Sequence, residues 1–245
     1  MLATMTQEIE NLGAQVSMKP ALAYTPLRDH LVNLLKIALN ALSLDPNYGP
    51  LSVLSSIIDG YYPSKREARL LTFVKETALK LEEYHNEINV KFVKSEQFQY
   101  LLEQCIEGAM TQYQEFKLHC FKGIVINGAR SNEAQGDKEY YLFLVNNLTE
   151  LHLQLLAFLH NPEYFLASRG ITDVSSFRIN ESVAKAIPGV DPDVLKAVFE
   201  ELYQKGFTNT PGSAFNSLMT TNGTNLIKGR VSERGRKFIK FCTDY

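Results

Sequence analysis

Cysteine, histidine and paired carboxylates are where chemistry would begin in this chain. Three cysteines occur, Cys105, Cys120 and Cys242, and His119 stands directly before Cys120. A thiol beside an imidazole is the arrangement of a nucleophile with its base. Cys105 and Cys120, however, fall on the apolar stripe of a helical pattern, where a cysteine reads as a buried structural thiol. Glu82-Glu83-Tyr84-His85 holds one Glu-x-x-His. A di-iron bundle needs two such motifs and a carboxylate from each of two further helices. Glu103, Glu107 and Glu115 offer no matched partners for it. The phosphate-cradling loop, the dinucleotide fingerprint, the nucleophile elbow and the zinc-protease helix are all absent. The expectation is a chain with no catalytic residues, no metal site and no cofactor.

Composition narrows the class. Of 245 residues, 45% are hydrophobic and 21% charged, a balance that supports a packed core. The net charge of -2 excludes a uniformly basic nucleic-acid coat, so any contact with nucleic acid must be local. Cysteines that are few, odd in number and without a C-x-x-C pair point to a reducing, cytoplasmic setting. The first residues lack the basic start and apolar run of a signal peptide. Leu27 to Leu44 is the most apolar stretch, but Arg28, Asp29, His30 and Lys36 interrupt it, which argues against a membrane span.

The elements that would position any site are mostly helical. Pro26 suits a first helical turn, and Leu27, Leu31, Leu34, Leu35, Ala38 and Leu42 follow at helical spacing. Asp45 to Pro50 stops that run, and Leu51 to Ile58 reads as a short buried helix. Ser64-Lys65-Arg66-Glu67 is a capping-box pattern. It precedes a stripe of Leu70, Val74, Thr77, Leu81, Tyr84 and Ile88. Ser95 caps a further pattern that keeps its period through Phe98, Cys105, Tyr113, Cys120 and Ile124 to about Asn127, read as one long helix. The two long helices should pair as an antiparallel hairpin, with the Pro26 helix completing a bundle. Gly128 to Asp137 is a polar loop, and Tyr140 to Val145 a connecting helix. The expected division is a helical bundle over 1–128, a linker and connecting helix over 129–147, and a second domain over 148–245.

That second domain has a different rhythm. Short helices are expected at Thr149–Leu159, Asn180–Ala186 and Asp193–Lys205, the last closed by Gly206. Phe207 begins an extended segment, Leu226 to Val231 returns as a strand, and Ser232 caps a final helix with Phe238, Ile239 and Phe241. Leu202-Tyr203-Gln204-Lys205-Gly206-Phe207 resembles the leucine, spacer, glycine and apolar residue that end the third helix of winged helix-turn-helix domains of the MarR and PadR kind. Val231-Ser232-Glu233-Arg234-Gly235-Arg236-Lys237-Phe238 is similar to their helix start after the wing. The resemblance covers roughly the last hundred residues. It implies a mainly α fold, an N-terminal helical bundle followed by a C-terminal winged helix with a small β-hairpin wing. A helical body with a terminal winged helix also resembles phage-defence proteins of the Abi-alpha type.

In that family the third helix enters the major groove and the wing touches the backbone. By that resemblance Lys196 and Gln204 would meet bases, while Lys228, Arg230, Arg234, Arg236 and Lys237 would hold phosphates. Asp193, Glu200 and Glu201 share the same helix, and carboxylates are repelled by phosphates. Two functions stay open at this point. One is a cytoplasmic, non-enzymatic regulator on duplex DNA. The other is an adaptor whose winged helix docks on a protein partner. A homodimer is compatible with either.

Overall fold

The computed structural model describes Asp29, Val32, Asn33, Leu35, Lys36 and residues 65–131, 133–171, 179–216 and 224–244. The five isolated residues are helical, within the stretch expected to follow Pro26. The rest of that helix, the Leu51–Ile58 element and Ser64 of the capping box lie outside the described residues. The protein is mainly α. Its chain divides into two compact units between Leu144 and Val145.

In the first unit, α1 (Lys65–Glu83) buries Leu70, Phe73, Val74, Ala78 and Leu81 on one face, as its periodicity requires. Thr77 is also buried there, and its hydroxyl donates to the Phe73 carbonyl at 2.7 Å. A short α2 (Val90–Val93) is capped by the Asn89 side chain. Ser95 caps α3 (Glu96–Thr111) by accepting from Phe98 N at 3.3 Å.

The single long helix expected from Ser95 to Asn127 is in fact two. Gln112 and Gln114 are extended, and α4 (Glu115–Arg130) folds back beside α3. Hence Tyr113, which had been placed on the apolar stripe, is 74% exposed. The stripes of α3 and α4 happen to run in phase across the break, so periodicity alone did not register it. Their close approach depends on Gly108. A Cβ there would sit 2.5 Å from Cζ of Phe121. α1 packs against both arms of this hairpin.

The polar loop between Gly128 and Asp137 shrinks to a few residues, because α4 runs to Arg130 and α5 (Gln135–Asn147) begins soon after. Lys138 of α5 is buried. Its ammonium donates to the carbonyls of Gly128 and Ser131, both at 3.1 Å, and lies 3.7 Å from the centroid of the Phe92 ring. It thus satisfies carbonyls at the C-terminal end of α4, where a positive charge complements the helix dipole.

The second unit is built around α6 (Glu150–His160). Leu153, Leu155, Leu156, Ala157, Phe158 and Leu159 are all buried, so most of α6 is enclosed, and only an edge with Glu150, Leu151 and Gln154 and the terminal His160 are half-exposed. Around it pack α7 (Pro162–Ala167), α8 (Ile179–Ala186), α9 (Pro192–Gln204), α10 (Thr224–Lys228) and α11 (Glu233–Thr243). Asp191 caps α9, with Pro192 at the first helical position. The other end of α9 is a Schellman turn. Gly206 has φ 74°, its N–H donates to Tyr203 O at 2.8 Å, and Phe207 N donates to Leu202 O at 2.8 Å.

The strand expected at Leu226–Val231 is not formed. Those residues begin in α10, where Gly229 N donates to Asn225 O at 3.0 Å. Ile227 is fully buried while Leu226 and Lys228 are half-exposed, and α10 packs on α6 and α7. Burying that one face overrides the β-preference of Ile227. Among the described residues there is no strand and no β-hairpin wing. One antiparallel bridge joins Thr208 to Val231, flanked by Asn209 N to Arg230 O at 2.8 Å and Ser232 N to Phe207 O at 2.9 Å.

Candidate functional site

Two features of the second unit concentrate polar chemistry, and both are set by how α9 and α11 meet the core. Val231 is pinned in the bridge, so Ser232 follows at the mouth of α11. Its hydroxyl accepts from Gly235 N at 3.0 Å and donates to Gly206 O at 2.7 Å. Gly235 then presses against the chain after α9: a Cβ there would lie 2.3 Å from the Phe207 carbonyl oxygen. The Ser-x-x-Gly spacing is therefore a cap and a close approach acting together. With Phe238, Ile239, Phe241 and Cys242 turned into the core, α11 must expose Glu233, Arg234, Arg236, Lys237 and Lys240.

From Lys228 to Lys240 the sequence carries six cations and one carboxylate, a density that makes a local positive field despite the chain's net charge. The cations differ in what holds them. Lys228 pairs with Glu163 at 2.8 Å. Arg230 is half-buried and reaches Thr210 Oγ1 at 3.4 Å. Arg234 donates to Lys205 O at 3.3 Å and lies over the Phe207 ring. Arg236 donates to Val231 O at 3.4 Å and stands 3.8 Å from Glu233. Lys237 and Lys240 are exposed, and their ammonium groups make no hydrogen bond or ion pair among the described residues. Arg230, Arg234 and Arg236 thus converge on the bridge and the C-terminal end of α9. Lys240 belongs to the same face.

α9 itself is acidic. Its exposed or half-exposed positions include Asp193, Lys196, Ala197, Glu200, Glu201 and Gln204, with Asp191 at its cap. The Gln204 amide donates to Glu200 Oε1 at 2.6 Å, and Glu200 also accepts from Gly212 N. Lys196 stands nine residues before Lys205, about 13 Å along the helix, so it is not part of the cluster at the other end.

One arrangement had no signal strong enough to be seen in sequence. His152 is buried and joined on both nitrogens: Nδ1 lies 2.6 Å from Thr149 Oγ1 and Nε2 2.9 Å from Glu201 Oε2. With the proton on Nε2 facing the carboxylate, the Thr149 hydroxyl donates to Nδ1, and both nitrogens are satisfied. Thr149 caps α6 by accepting from His152 N, so this chain of hydrogen bonds ties the start of α6 to α9. A threonine cap followed three residues later by a polar residue was the only trace of it.

His85 Nδ1 contacts the Glu82 carbonyl at 2.9 Å rather than its carboxylate. Cys105, Cys120 and Cys242 are buried, and burial alone pushes the Cys105 thiol far above its ordinary range, which keeps it protonated. Among the described residues no group of three or more His, Cys, Asp or Glu side chains is placed to hold a metal ion. Among them, too, no helix is long and apolar enough to cross a membrane. No protein-family model matches this sequence, and neither does any curated protein or solved structure.

Proposed function

We propose that this is a binding protein without catalytic machinery, whose second unit is a winged-helix-like module that grips the phosphate backbone of duplex DNA. The observation that carries this reading is the outward face of α11, where Arg234, Arg236, Lys237 and Lys240 face one carboxylate, Glu233. The succession α8, α9, bridge and α11, with a Schellman turn after α9 and a serine cap before α11, supports the winged-helix resemblance. Arg230, Arg234 and Arg236 are held in place by their contacts with the chain's own carbonyls and hydroxyls, so they lose little freedom on meeting phosphate. Lys228 contributes less, since Glu163 already neutralises it. Binding of this kind is positional and largely indifferent to sequence, because α9 offers bases only Lys196 and a Gln204 amide already committed to Glu200.

The measurement is fluorescence anisotropy of a labelled duplex across a salt series. Log affinity should fall linearly with log salt, with a slope of about -0.9 per phosphate contact, and Lys237→Ala/Lys240→Ala should flatten it by up to about two contacts. Absence of binding at low salt would sink this reading. A second reading, docking on a protein, is favoured by the acidic face of α9, which presents carboxylates where a groove-reading helix presents cations.

A further inference from the structure

We infer that the protein associates head to tail with a second copy of itself, the acidic face of α9 on one copy seating against the basic face of α11 on the next. α9 and its cap carry Asp191, Asp193, Glu200 and Glu201 against Lys196, and α11 carries Arg234, Arg236, Lys237 and Lys240 against Glu233. With the C-caps Lys205 and Asp244 counted, the two faces are equal and opposite, two excess negative charges to two excess positive.

They do not cancel within one copy. α9 and α11 both pack on α6, and apart from Glu201, whose carboxylate meets His152 of α6, their charged residues turn outward from it. The start of α11 meets only the C-terminal end of α9, through Arg234 to the Lys205 carbonyl. Asp193 lies twelve residues back from Lys205, about 18 Å along the helix. That is more than two screening lengths at physiological salt, each about 8 Å. Glu200 and Glu201 stand within about 8 Å of Lys205 along the helix, so it is the Asp191–Asp193 end of the acidic face that is left with a counter-charge for a second copy to supply. α9 also offers apolar area to bury at the contact: Val194 is 48% exposed and Ala197 is exposed beside it. A whole-chain charge of only -2 sets no general repulsion against the approach. Two different faces meet, so the contact is heterologous and leaves one face of each kind open at the ends. The α11 face is the one assigned above to phosphates. Association does not depend on that assignment, and polyanion binding would compete with it.

The test is sedimentation velocity and light scattering of the full chain, without nucleic acid, at about 50 mM and about 0.5 M salt, where screening differs severalfold. The mass should rise with protein concentration in low salt and return to the monomer's 27.7 kDa in high salt. Asp193→Lys/Gln204→Lys spoils only the α9 face, and Lys237→Glu/Lys240→Glu only the α11 face. All four positions are exposed, and circular dichroism confirms that each variant is folded. Each variant alone should stay monomeric. An equimolar mixture should give a dimer and stop there, because one intact face of each kind remains. A wild type that is monomeric at high concentration in low salt overturns the proposal. So does a mixture that fails to dimerise when the wild type associates. Loss of duplex binding with association intact would count against the DNA reading alone.

Discussion

At the scale of single residues, Lys138 shows how much a position's meaning depends on the chain around it. In sequence it is a lysine just past the polar loop of Gly128 to Asp137. In the structure it is buried, donates to two carbonyls and lies over Phe92. Removing the donor strands buried acceptors, so Lys138→Met should cost roughly 1–3 kcal/mol of stability at neutral pH. Burial lowers the Lys138 pKa from 10.5, against a smaller raising effect of Glu133. Between the lowered value and 10.5 the unfolded chain therefore holds more of this proton than the folded chain does. Stability must rise with pH across that window, and below it the cost of burying the charge is fully present. Denaturant midpoints of the wild type and of Lys138→Met, followed from neutrality to 10.5, should draw further apart. A constant gap would show that the ammonium is buried without a penalty.

Elements were legible where a local rule sets them and illegible where packing does. The caps at Ser95, Asp191 and Ser232 and the glycine stop at Gly206 could be read directly, because each satisfies an orphan backbone group through neighbours in sequence. The break between α3 and α4 could not. It contains neither proline nor glycine, and what makes it favourable is contact across the hairpin that only exists once the hairpin has formed. α10 was misread for a related reason, since burying Ile227 decides its conformation and no local residue announces it. The start of α11 allows the two kinds of cause to be separated by measurement. Ser232→Ala removes a cap and should cost about 1 kcal/mol. Gly235→Ala places a methyl 2.3 Å from the Phe207 oxygen, so α11 must shift away from the chain after α9. Strain of that kind typically costs about 1–3 kcal/mol, and Gly235→Ala should be the more damaging variant. Equal losses in chemical denaturation would mean that the glycine matters only as a helix residue.

For the whole molecule, the division between Leu144 and Val145 falls inside α5, which the sequence reading took for a connecting helix. The candidate site was legible only as a list of cations on short helices. Which of them are tethered, as Lys228 is by Glu163, and which stand open, as Lys237 and Lys240 do, depends on partners distant in sequence. The same is true of His152 and Glu201, 49 positions apart. The second unit nevertheless owns the ingredients of an independent core. Phe158, Phe199, Phe207, Phe215 and Phe238 are fully buried, and α6 is surrounded by helices of its own unit. A fragment starting at Gln135 keeps α5 whole while leaving behind the carbonyls that hold Lys138, which lie at Gly128 and Ser131. Such a fragment should remain helical and melt in one cooperative step. For about 110 residues the heat-capacity change should be about 1.3–1.7 kcal/mol/K, the value for a chain with a complete core. Circular dichroism and calorimetry would decide it. A broad, heat-capacity-poor transition would mean that the second unit does not fold on its own, and that duplex binding and self-association must then be sought only in the intact chain.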